Sequence, residues 1–359
     1  MGSKSIWIAL MGTGTIGREL LRRTSGHAEL TYVAVGDSSG FLAKREGFTE
    51  TELAAIQKHK SGGKFLEAFD EHLYLGREVL DILRDYGVTV LVDATAVQTY
   101  NILQAALEMA HVVTSNKLPF ADVPYTDYRQ LIDKAEEGKH RLDYGTTVGA
   151  GLKMPEFARS LGVDGVVSFS GCLSGTMNYV SQRINEGTPM SKAVWEAMSP
   201  PRNYTEPDPR IDLAGEDFRR KLVILARLFG KRIGVRNIAV ESLVPDEQMG
   251  IGKDEFLTCL SELDAGVSAK VEVAKKKDRA LWFLGNMNLM EDEYRLGFHE
   301  IPFSDPMAQS KESDNVLRIQ PRLWRRPVTL IGPGAGAAET VTGLISGLAS
   351  VRWLVPILV

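Results

Sequence analysis

The sequence contains few cysteines and few histidines. Its 359 residues include 2 cysteines, Cys172 and Cys259, and 6 scattered histidines, with no Cys-x-x-Cys and no His-x-x-x-His motif. Two isolated thiols do not make a disulfide framework, so we expect a reducing, cytoplasmic setting. A transition-metal site is not expected, because such sites need clustered His and Cys ligands.

Long apolar runs and charge of one sign are also missing. The apolar run Ile6–Met11 contains 6 residues before a glycine, and the apolar end 351–359 is also much shorter than a membrane span. Neither is long enough for a signal-peptide core or a transmembrane helix. The net charge is −4, with no basic stripe. We therefore expect no membrane partner and no nucleic-acid partner. The apolar end is expected to pack against the protein or to form part of a subunit contact.

The first third of the chain alternates strand-like and helix-like segments. The run Ile6–Met11 is typical of a parallel strand buried on both faces. Further strands are predicted at 30–37, 88–96 and 111–115, with helices at 16–23 and 100–110 and a loop with a short helix at 38–63. Strands that alternate with helices predict an α/β, doubly wound parallel sheet.

The pattern changes after Gly151. A strand is predicted at 166–173, two helices near 177–198, and one long charged helix at about 254–277. Four strand-like runs follow, "ALWFLGNM", "YRLGFHEI", "NVLRIQ" and "PVTLIG", and a small-residue helix at 337–350 ends the pattern. These features predict an α+β region with a mostly antiparallel sheet. A length of 359 residues is compatible with about two domains.

A glycine-rich turn joins the first predicted strand to the first helix. Gly12, Gly14 and Gly17 have the spacing G-x-G-x-x-G, and Thr15 and Ile16 open the helix. This spacing permits a tight turn, close approach of a pyrophosphate to the backbone, and close packing of helix on strand. A bare turn without a ligand is the alternative. The strand before and the helix after favour dinucleotide binding.

Asp37 ends the second predicted strand. Its carboxylate could accept hydrogen bonds from the adenosine ribose, which favours NAD, or it could simply cap the turn "GDSSG". Lys44, Lys58 or Lys60 on the following segment could reach a 2′-phosphate. The choice between NAD and NADP therefore stays open.

Lys117 follows a strand in "VVTSNKLPF", where ligands bind in open α/β sheets, although a solvent-exposed loop lysine fits as well. Two small-residue clusters, 146–154 and 330–343, are explained either by close backbone packing or by a flat surface for a nicotinamide ring.

Asp217 and Lys221 stand one helical turn apart. At this spacing the default interpretation is a surface ion pair of about 0.3–0.5 kcal/mol. An apolar stripe that includes Phe218, Leu222 and Leu225 marks the buried face of the same helix. Since the pair borders that stripe, it could instead point into a cleft.

Taken together, the motifs resemble the homoserine dehydrogenase family in its monofunctional form, without a fused aspartate kinase. The matching segments, in order, are the glycine loop, "VDATA", "TSNK", "TVGAGL", "LSGTMNYV", "YTEPDPRIDLAGEDFRRKLVILAR", "ESDN" and "GPGAGAAETVTG". The resemblance implies NAD(P)-dependent, reversible hydride transfer between L-homoserine and L-aspartate 4-semialdehyde, a step in threonine, methionine and isoleucine biosynthesis. It also implies a homodimer.

The same resemblance implies domains and residue roles. A Rossmann-type domain would comprise 1–148 and 333–359, and a substrate-binding and dimerisation domain would comprise 149–332. Lys117 and Lys221 would serve the proton chemistry, which a lysine can do when burial or a nearby cation lowers its pKa. The substrate-binding residues would be Glu206, Asp217, Asp212, Gly175, Thr176 and Tyr204. The cofactor-binding residues would be Gly12, Gly14, Thr15, Ile16, Gly17, Asp37, Thr95, Ala96, Lys117 and Gly336.

Three positions depart from the family pattern. The family usually has glutamate at the position of Gly145, beside a bound monovalent cation, so a sodium ion could here use only backbone carbonyls. Those carbonyls would belong to Val148, Ala150 and Leu152. Lys153 stands where proline is common, and Asn203 where glycine is usual.

These departures keep two alternatives open. One is an NAD(P)-dependent dehydrogenase of another small hydroxy or amino acid. The other is a catalytically silent dinucleotide-binding protein that acts as a sensor or assembly partner. The joint presence of Lys117, Glu206, Asp217 and Lys221 disfavours the silent protein.

Overall fold

The computed structural model describes residues 5–70, 73, 76 and 78–352. The chain divides into two compact units, 1–153 with 337–359, and 154–336. The functional domain boundaries given above remain a prediction. The apolar end beyond residue 352, which the sequence predicts to pack, lies outside the described residues.

The first unit is built on a six-stranded sheet with the order β3-β2-β1-β4-β5-β6. Its elements up to residue 153 are β1 (Ile6–Met11), α1 (Thr15–Thr24), β2 (Leu30–Asp37), β3 (Gly40–Ala43), α2 (Glu50–Ser61), α3 (Val79–Tyr86), β4 (Val90–Asp93), α4 (Tyr100–Ala106), β5 (His111–Thr114), α5 (Leu118–Ala121), α6 (Tyr125–Glu137) and β6 (Leu142–Asp143). All neighbouring strands are parallel except β3, which pairs antiparallel with β2. This is a Rossmann-type doubly wound sheet with one antiparallel edge strand.

The segment 38–63 contains more regular structure than the sequence suggests. Strand β3 and the 12-residue helix α2 occupy most of it. Helix α2 begins with a reciprocal capping box between Thr49 and Glu52, which supplies partners for its first backbone N–H groups. Its apolar stripe is narrow, with Leu53 and Ile56 as the buried residues, so the helical pattern is weak in the sequence.

The second unit also contains a six-stranded sheet, with the order β12-β11-β7-β9-β10-β8. Its elements are α7 (Met154–Leu161), β7 (Val166–Cys172), α8 (Gly175–Asn185), α9 (Met190–Met198), α10 (Arg210–Leu213), α11 (Glu216–Leu228), β8 (Ala239–Val240), α12 (Asp246–Met249), α13 (Lys253–Cys259), α14 (Asp264–Lys275), β9 (Arg279–Asn288), β10 (Glu293–Pro302), β11 (Asp314–Pro321) and β12 (Val328–Pro333). The pairs are antiparallel, as predicted for most of this sheet, except that short β8 runs parallel to β10.

The prediction of one long charged helix at about 254–277 is wrong. Helices α13 and α14 are separated by a 3-10 turn, Leu260–Leu263. At the start of α14, Asp264 accepts hydrogen bonds of 2.7 Å from both the backbone N–H and the hydroxyl of Ser191. A tertiary contact therefore fixes the beginning of a new helix, and such a contact is invisible in the local sequence pattern.

Helix α15 (Ala337–Arg352) returns the chain to the first unit. It contributes Val341, Leu344, Ile345 and Leu348 to the apolar core that also contains the buried residues of β1 and β2. Arg23 near the end of α1 donates to the carbonyl of Ala338 at 3.0 Å. The C-terminal helix is thus an integral layer of the Rossmann-type unit. None of the helices in the described part of the chain is both long and apolar enough to span a bilayer.

Candidate functional site

The glycine loop between β1 and α1 has the steric properties of a phosphate-binding turn. Gly12 has φ +99°, and a Cβ there would lie 2.8 Å from the backbone of Ala94. A Cβ on Gly17 would lie 1.9 Å from the Gly12 carbonyl oxygen, so these two glycines are required by packing. A Cβ on Gly14 would meet nothing within 4 Å. The backbone therefore stays open at the N-terminus of α1.

The N-terminus of α1 is free to receive an anion. Gly14 is the N-cap and has no side chain that could cap the helix, and the first turn, which begins with Thr15 and Ile16, carries no acidic residue. The first backbone N–H groups of a helix have no partner within the helix, and they carry the positive end of its dipole. This end can bind a phosphate without a competing carboxylate.

Asp37 at the end of β2 lies in a dense hydrogen-bond network. Its carboxylate accepts from the backbone N–H of Ser39 at 2.9 Å and of Leu66 at 3.0 Å, and it forms an ion pair with Lys60. Burial opposes ionisation of Asp37, but the hydrogen bonds from Lys60, Ser39 and Leu66 outweigh it and lower its pKa. Of the three candidate lysines, Lys60 is the one that reaches the end of β2. Lys44 instead pairs with Glu52 at 2.7 Å.

The loops that follow β4 and β5 are joined by two buried polar residues, Asp93 and Asn116. The amide nitrogen of Asn116 lies 3.2 Å from the Asp93 carboxylate and 2.7 Å from the carbonyl of Val97. Thr95 and Thr99 each donate a hydroxyl hydrogen bond of 2.7 Å to Asp93. Burial raises the pKa of Asp93, even though these hydrogen bonds act in the opposite direction.

Lys117 takes its position from this network. Its neighbour Asn116 also accepts a 3.1 Å hydrogen bond from the backbone N–H of Leu118, the first residue of α5. The side chain of Lys117 is half-buried, Thr95 is half-buried and Ala96 is exposed, all at the carboxyl ends of parallel strands. Asp93 and Asn116 are not among the sequence-predicted site residues. The signal that could have found them is their place directly after apolar strands, in "VDATA" and "TSNK".

In the second unit, Asp217 and Lys221 form a largely buried ion pair on α11. The Lys221 ammonium lies 2.8 Å from the Asp217 carboxylate, and the two side chains are 11% and 20% exposed. The same ammonium donates to the carbonyl of Leu173 at 2.7 Å, just beyond strand β7. Helix α11 buries Phe218, Leu222 and Leu225 on its core face. The pair therefore faces the interior, and the surface interpretation of this pair is wrong.

Asp212, Thr176 and Tyr204 are brought together beside this pair. The Thr176 hydroxyl lies 2.9 Å from the Tyr204 carbonyl and 3.0 Å from the Asp212 carboxyl, and the backbone N–H of Glu206 donates to Asp212 at 2.8 Å. One hydroxyl has one hydrogen, so it cannot donate to both acceptors at once. When Asp212 is ionised, it can accept from Thr176. When Asp212 is protonated, it can donate to Thr176, which then donates to the Tyr204 carbonyl.

The electrostatics agree with that arrangement. Burial raises the pKa of Asp212 to about 7, and the nearby charges of Glu206 and Asp217 add to the effect, while the two hydrogen bonds oppose it. The cluster thus contains a carboxyl group that titrates near neutrality next to two other acids. Such a concentration of negative charge can bind an ammonium group.

The cluster is bordered by Gly175, Tyr204 and Glu206. Gly175 opens helix α8, where a Cβ would lie 2.9 Å from the Ser313 side chain. The Tyr204 hydroxyl donates to Glu312 at 2.8 Å, and burial raises its pKa, with further contributions from the hydrogen bond and charge of Glu312. The side chain of Glu206 is exposed. Gly336, at the end of this unit, has φ +118°, a conformation that other residues rarely adopt.

Asn203 stands where the family usually has glycine, and its backbone adopts a conformation that glycine would favour. It has φ +49°, in the left-handed region. Asparagine is among the residues that tolerate this region best after glycine. The loop before Tyr204 can therefore keep a glycine-like conformation.

The small residues between 146 and 154 pack against α15. A Cβ on Gly151 would lie 2.9 Å from the Glu339 carbonyl, and one on Gly343 would lie 3.0 Å from the Ala150 carbonyl. Val148 and Ala150 are buried, and Leu152 is half-buried. Close backbone packing thus accounts for these glycines.

Two family models match the chain. One, described as homoserine dehydrogenase, matches residues 155–348, and the other, described as the NAD-binding domain of homoserine dehydrogenase, matches residues 12–145. The chain belongs to the homoserine dehydrogenase family. Its NAD-binding match contains the glycine loop, Asp37 and Lys117, and the other match contains the Asp212 cluster and Lys221.

Named relatives agree with this assignment. The bifunctional aspartokinase/homoserine dehydrogenase 2 of Escherichia coli is 32% identical over 96% of this chain and 43% of its own length. The homoserine dehydrogenase of Schizosaccharomyces pombe is 27% identical over 96% of this chain and 94% of its own. The chain spans less than half the length of the bifunctional relatives that it matches first. A solved hyperthermophilic archaeal homoserine dehydrogenase in complex with NADPH has the same fold, with a TM-score of 0.71, 20% identity, and coverage of 98% and 99% of the two chains.

Proposed function

We propose that this protein is a homoserine dehydrogenase that interconverts L-homoserine and L-aspartate 4-semialdehyde with NAD or NADP. The observation that carries the proposal is the buried ammonium of Lys221, which is fixed by Asp217 and the Leu173 carbonyl beside an acidic cluster. An ordinary surface lysine has neither the burial nor the two fixed acceptors. The family membership and the archaeal relative's complex with NADPH support the choice of reaction and cofactor.

Lys221 is arranged to move a proton at the substrate oxygen. An ammonium has three N–H donors, of which Asp217 and the Leu173 carbonyl accept two. We assign the third to the oxygen of the aldehyde or alcohol. In the direction of reduction Lys221 gives a proton to that oxygen, and in the direction of oxidation it takes one back. Lys117 is proposed to assist this proton chemistry from its place after β5.

The acids of the second unit are suited to the substrate amine. Homoserine carries an ammonium group, and a buried cation needs carboxylate partners. Glu206 and Asp217 are proposed to pair with it, with Asp212 next to them. Thr176, Gly175 and Tyr204 hold the shape of this cluster through the hydrogen bonds and close contacts described above.

The cofactor residues fit a dinucleotide. The open space at Gly14 and the uncapped start of α1 suit its pyrophosphate, together with Gly12, Thr15, Ile16 and Gly17. Asp37 is proposed to lie near the adenosine ribose, and Thr95, Ala96, Lys117 and Gly336 to line the nicotinamide end. When bound, the nicotinamide accepts or supplies the hydride.

The wider setting is also a proposal. We infer a homodimer in the cytoplasm, acting in threonine, methionine and isoleucine biosynthesis. Size-exclusion chromatography with light scattering of the purified full chain would give twice the monomer mass of 39.5 kDa for the dimer.

The reaction is tested with purified protein, L-homoserine and either NAD or NADP, from neutral to alkaline pH. We expect absorbance of the reduced nicotinamide to rise only when homoserine is present. L-Serine and L-threonine serve as matched hydroxy amino acids that differ in chain length or branching. If the protein oxidises homoserine neither with NAD nor with NADP, the proposal is wrong. If it oxidises another hydroxy amino acid faster than homoserine, the substrate assignment changes.

A further inference from the structure

The segment 143–153 contains Val148, Ala150 and Leu152, whose carbonyls the sequence offers as ligands for a sodium ion. The donor set found there does not fit one. The Ala150 carbonyl, one of the three candidate ligands, already accepts a 3.1 Å hydrogen bond from the backbone N–H of Lys153. The segment contains one carboxylate, Asp143. A hard cation needs several oxygen ligands, and a carboxylate that is already neutralised by an ammonium offers a second cation little net attraction.

That carboxylate already has a cation. The ammonium of Lys153 lies 2.8 Å from the Asp143 carboxylate, and the two side chains are 9% and 8% exposed. Asp143 also accepts a 3.2 Å hydrogen bond from the backbone N–H of Gly145. Because both charges are almost completely shielded from water, neither can be left unpaired without a large cost.

Helix α15 covers this ion pair closely. A Cβ on Gly347 would lie 3.1 Å from the Asp143 carboxylate, and a Cβ on Gly343 would lie 3.0 Å from the Ala150 carbonyl. The hydroxyl of Ser350 approaches the same carboxylate at 3.5 Å. An added ion would have to enter a packed layer of the unit that already holds one positive charge.

The backbone of Lys153 is also unusual. It has φ +46°, in the left-handed region, where a non-glycine residue costs about 1–2 kcal/mol. Proline, the residue common here in the family, cannot adopt this angle, since its ring holds φ near −65°. The chain therefore turns differently here from family members that have proline at this position. The left-handed turn buries Lys153 next to Asp143, and the resulting ion pair stabilises the turn.

We propose that the ammonium of Lys153, paired with Asp143, takes the place of a bound monovalent cation in the segment 143–153. The protein then needs neither sodium nor potassium at this position. The inference concerns the ion requirement of the first unit and does not depend on which substrate the protein oxidises.

The first test uses the full-length wild-type protein in sodium, potassium or choline chloride at matched ionic strength. Choline is too large for a carbonyl-lined ion site, so it controls for salt effects in general. We expect thermal unfolding midpoints within about 1 °C of each other, because a ligand that does not bind the native state does not stabilise it. A saturable rise in sodium or potassium over choline would overturn the proposal.

The second test removes the built-in cation. Lys153→Met leaves the Asp143 carboxylate buried without its partner, so this variant should unfold at a lower temperature. It should then recover about 2–4 °C in sodium or potassium relative to choline, as expected for a chain of 359 residues when a bound ion supplies roughly 2–3 kcal/mol. The double variant Asp143→Asn with Lys153→Met removes both charges and is expected to show no preference among the salts.

Two results would contradict the proposal, one from the Lys153→Met variant and one from the wild-type protein. A folded Lys153→Met protein that responds equally to all three salts would show that Lys153 does not occupy the place of a cation. If Lys153→Met does not fold in any salt, the wild-type comparison and a sodium-23 NMR titration of the wild type decide the matter. Line broadening that saturates with protein concentration would show specific sodium binding and contradict the proposal.

Discussion

The ammonium of Lys221 lies 2.8 Å from the Asp217 carboxylate one turn earlier on helix α11, and both side chains are shielded from most of the solvent. The same i,i+4 spacing occurs between Arg129 and Asp133 on α6, where the side chains are 39% and 45% exposed. The two pairs have the same sequence separation but different surroundings. Their energetic and functional consequences should therefore differ.

Replacement of Asp217 measures this difference. Asp217→Asn removes a charge partner from a mostly buried ammonium and should lower the free energy of unfolding by about 1.5–3 kcal/mol. Asp133→Asn, the matched control, should change it by no more than about 0.5 kcal/mol. Urea titration of both variants gives the comparison. Equal effects would mean that the Asp217 pair behaves as a surface pair.

Asp212 gives the protein a pH-dependent stability. Its pKa is about 7 in the folded protein and near the ordinary value of 3.8 when unfolded. Between these values the folded state binds more protons, so the stability contributed by this group is present at low pH and is lost as pH rises from about 4 to about 7. The slope from this one group is at most about 1.4 kcal/mol per pH unit.

Asp212→Asn isolates that contribution. The variant should lose this part of the pH dependence, because the amide does not titrate in the range. Urea unfolding of both proteins at several pH values gives the difference. If the wild type and the variant have parallel stability profiles between pH 4 and 7, Asp212 does not titrate as inferred.

Cofactor preference should respond to the Asp37–Lys60 pair. Asp37→Ser removes a carboxylate that would repel a 2′-phosphate and releases the Lys60 ammonium from its partner. We expect kcat/KM for NADP relative to NAD to rise at least about tenfold, which corresponds to roughly 1.4 kcal/mol. Lys44→Met, which disrupts the neighbouring Lys44–Glu52 pair, should leave the ratio unchanged. An unchanged ratio in Asp37→Ser would place the ribose elsewhere.

The stability of the protein should be sensitive to Asn116→Asp, which replaces the amide nitrogen of this side chain with an oxygen. Its amide nitrogen faces the buried Asp93 carboxyl at 3.2 Å, so Asn116→Asp would place two acids together out of water. We expect a loss of about 3–5 kcal/mol for this variant and about 1–3 kcal/mol for Asn116→Ala. Chemical denaturation at neutral pH checks both values. A milder effect for Asn116→Asp than for Asn116→Ala would contradict the hydrogen-bond network described here.

Local patterns in the sequence were sufficient for the strands of the Rossmann-type sheet and for the glycine loop. The continuous apolar run of β1 and the glycines after it carry their structural meaning within a few residues. The break between α13 and α14 was not predictable in this way, because it depends on the contact between Asp264 and Ser191, 73 positions apart.

The same limit applies to the site. Spacing alone identified Asp217 and Lys221 as a pair but left its surroundings open, since these depend on the carbonyl of Leu173 at the end of another element. The pairing of Lys153 with Asp143 was missed for the same reason: the left-handed turn that buries the lysine has no signal in composition or periodicity.

Turnover of homoserine by Lys221→Met, relative to wild type and to Arg220→Ala on the same helix, tests the central claim most directly. If Lys221 moves the proton at the substrate oxygen, kcat should fall by roughly 10²–10⁴ in Lys221→Met and stay near the wild-type value in Arg220→Ala. Circular dichroism should show that both variants are folded. A folded Lys221→Met protein with less than about a tenfold loss in kcat would remove Lys221 from the proposed chemistry.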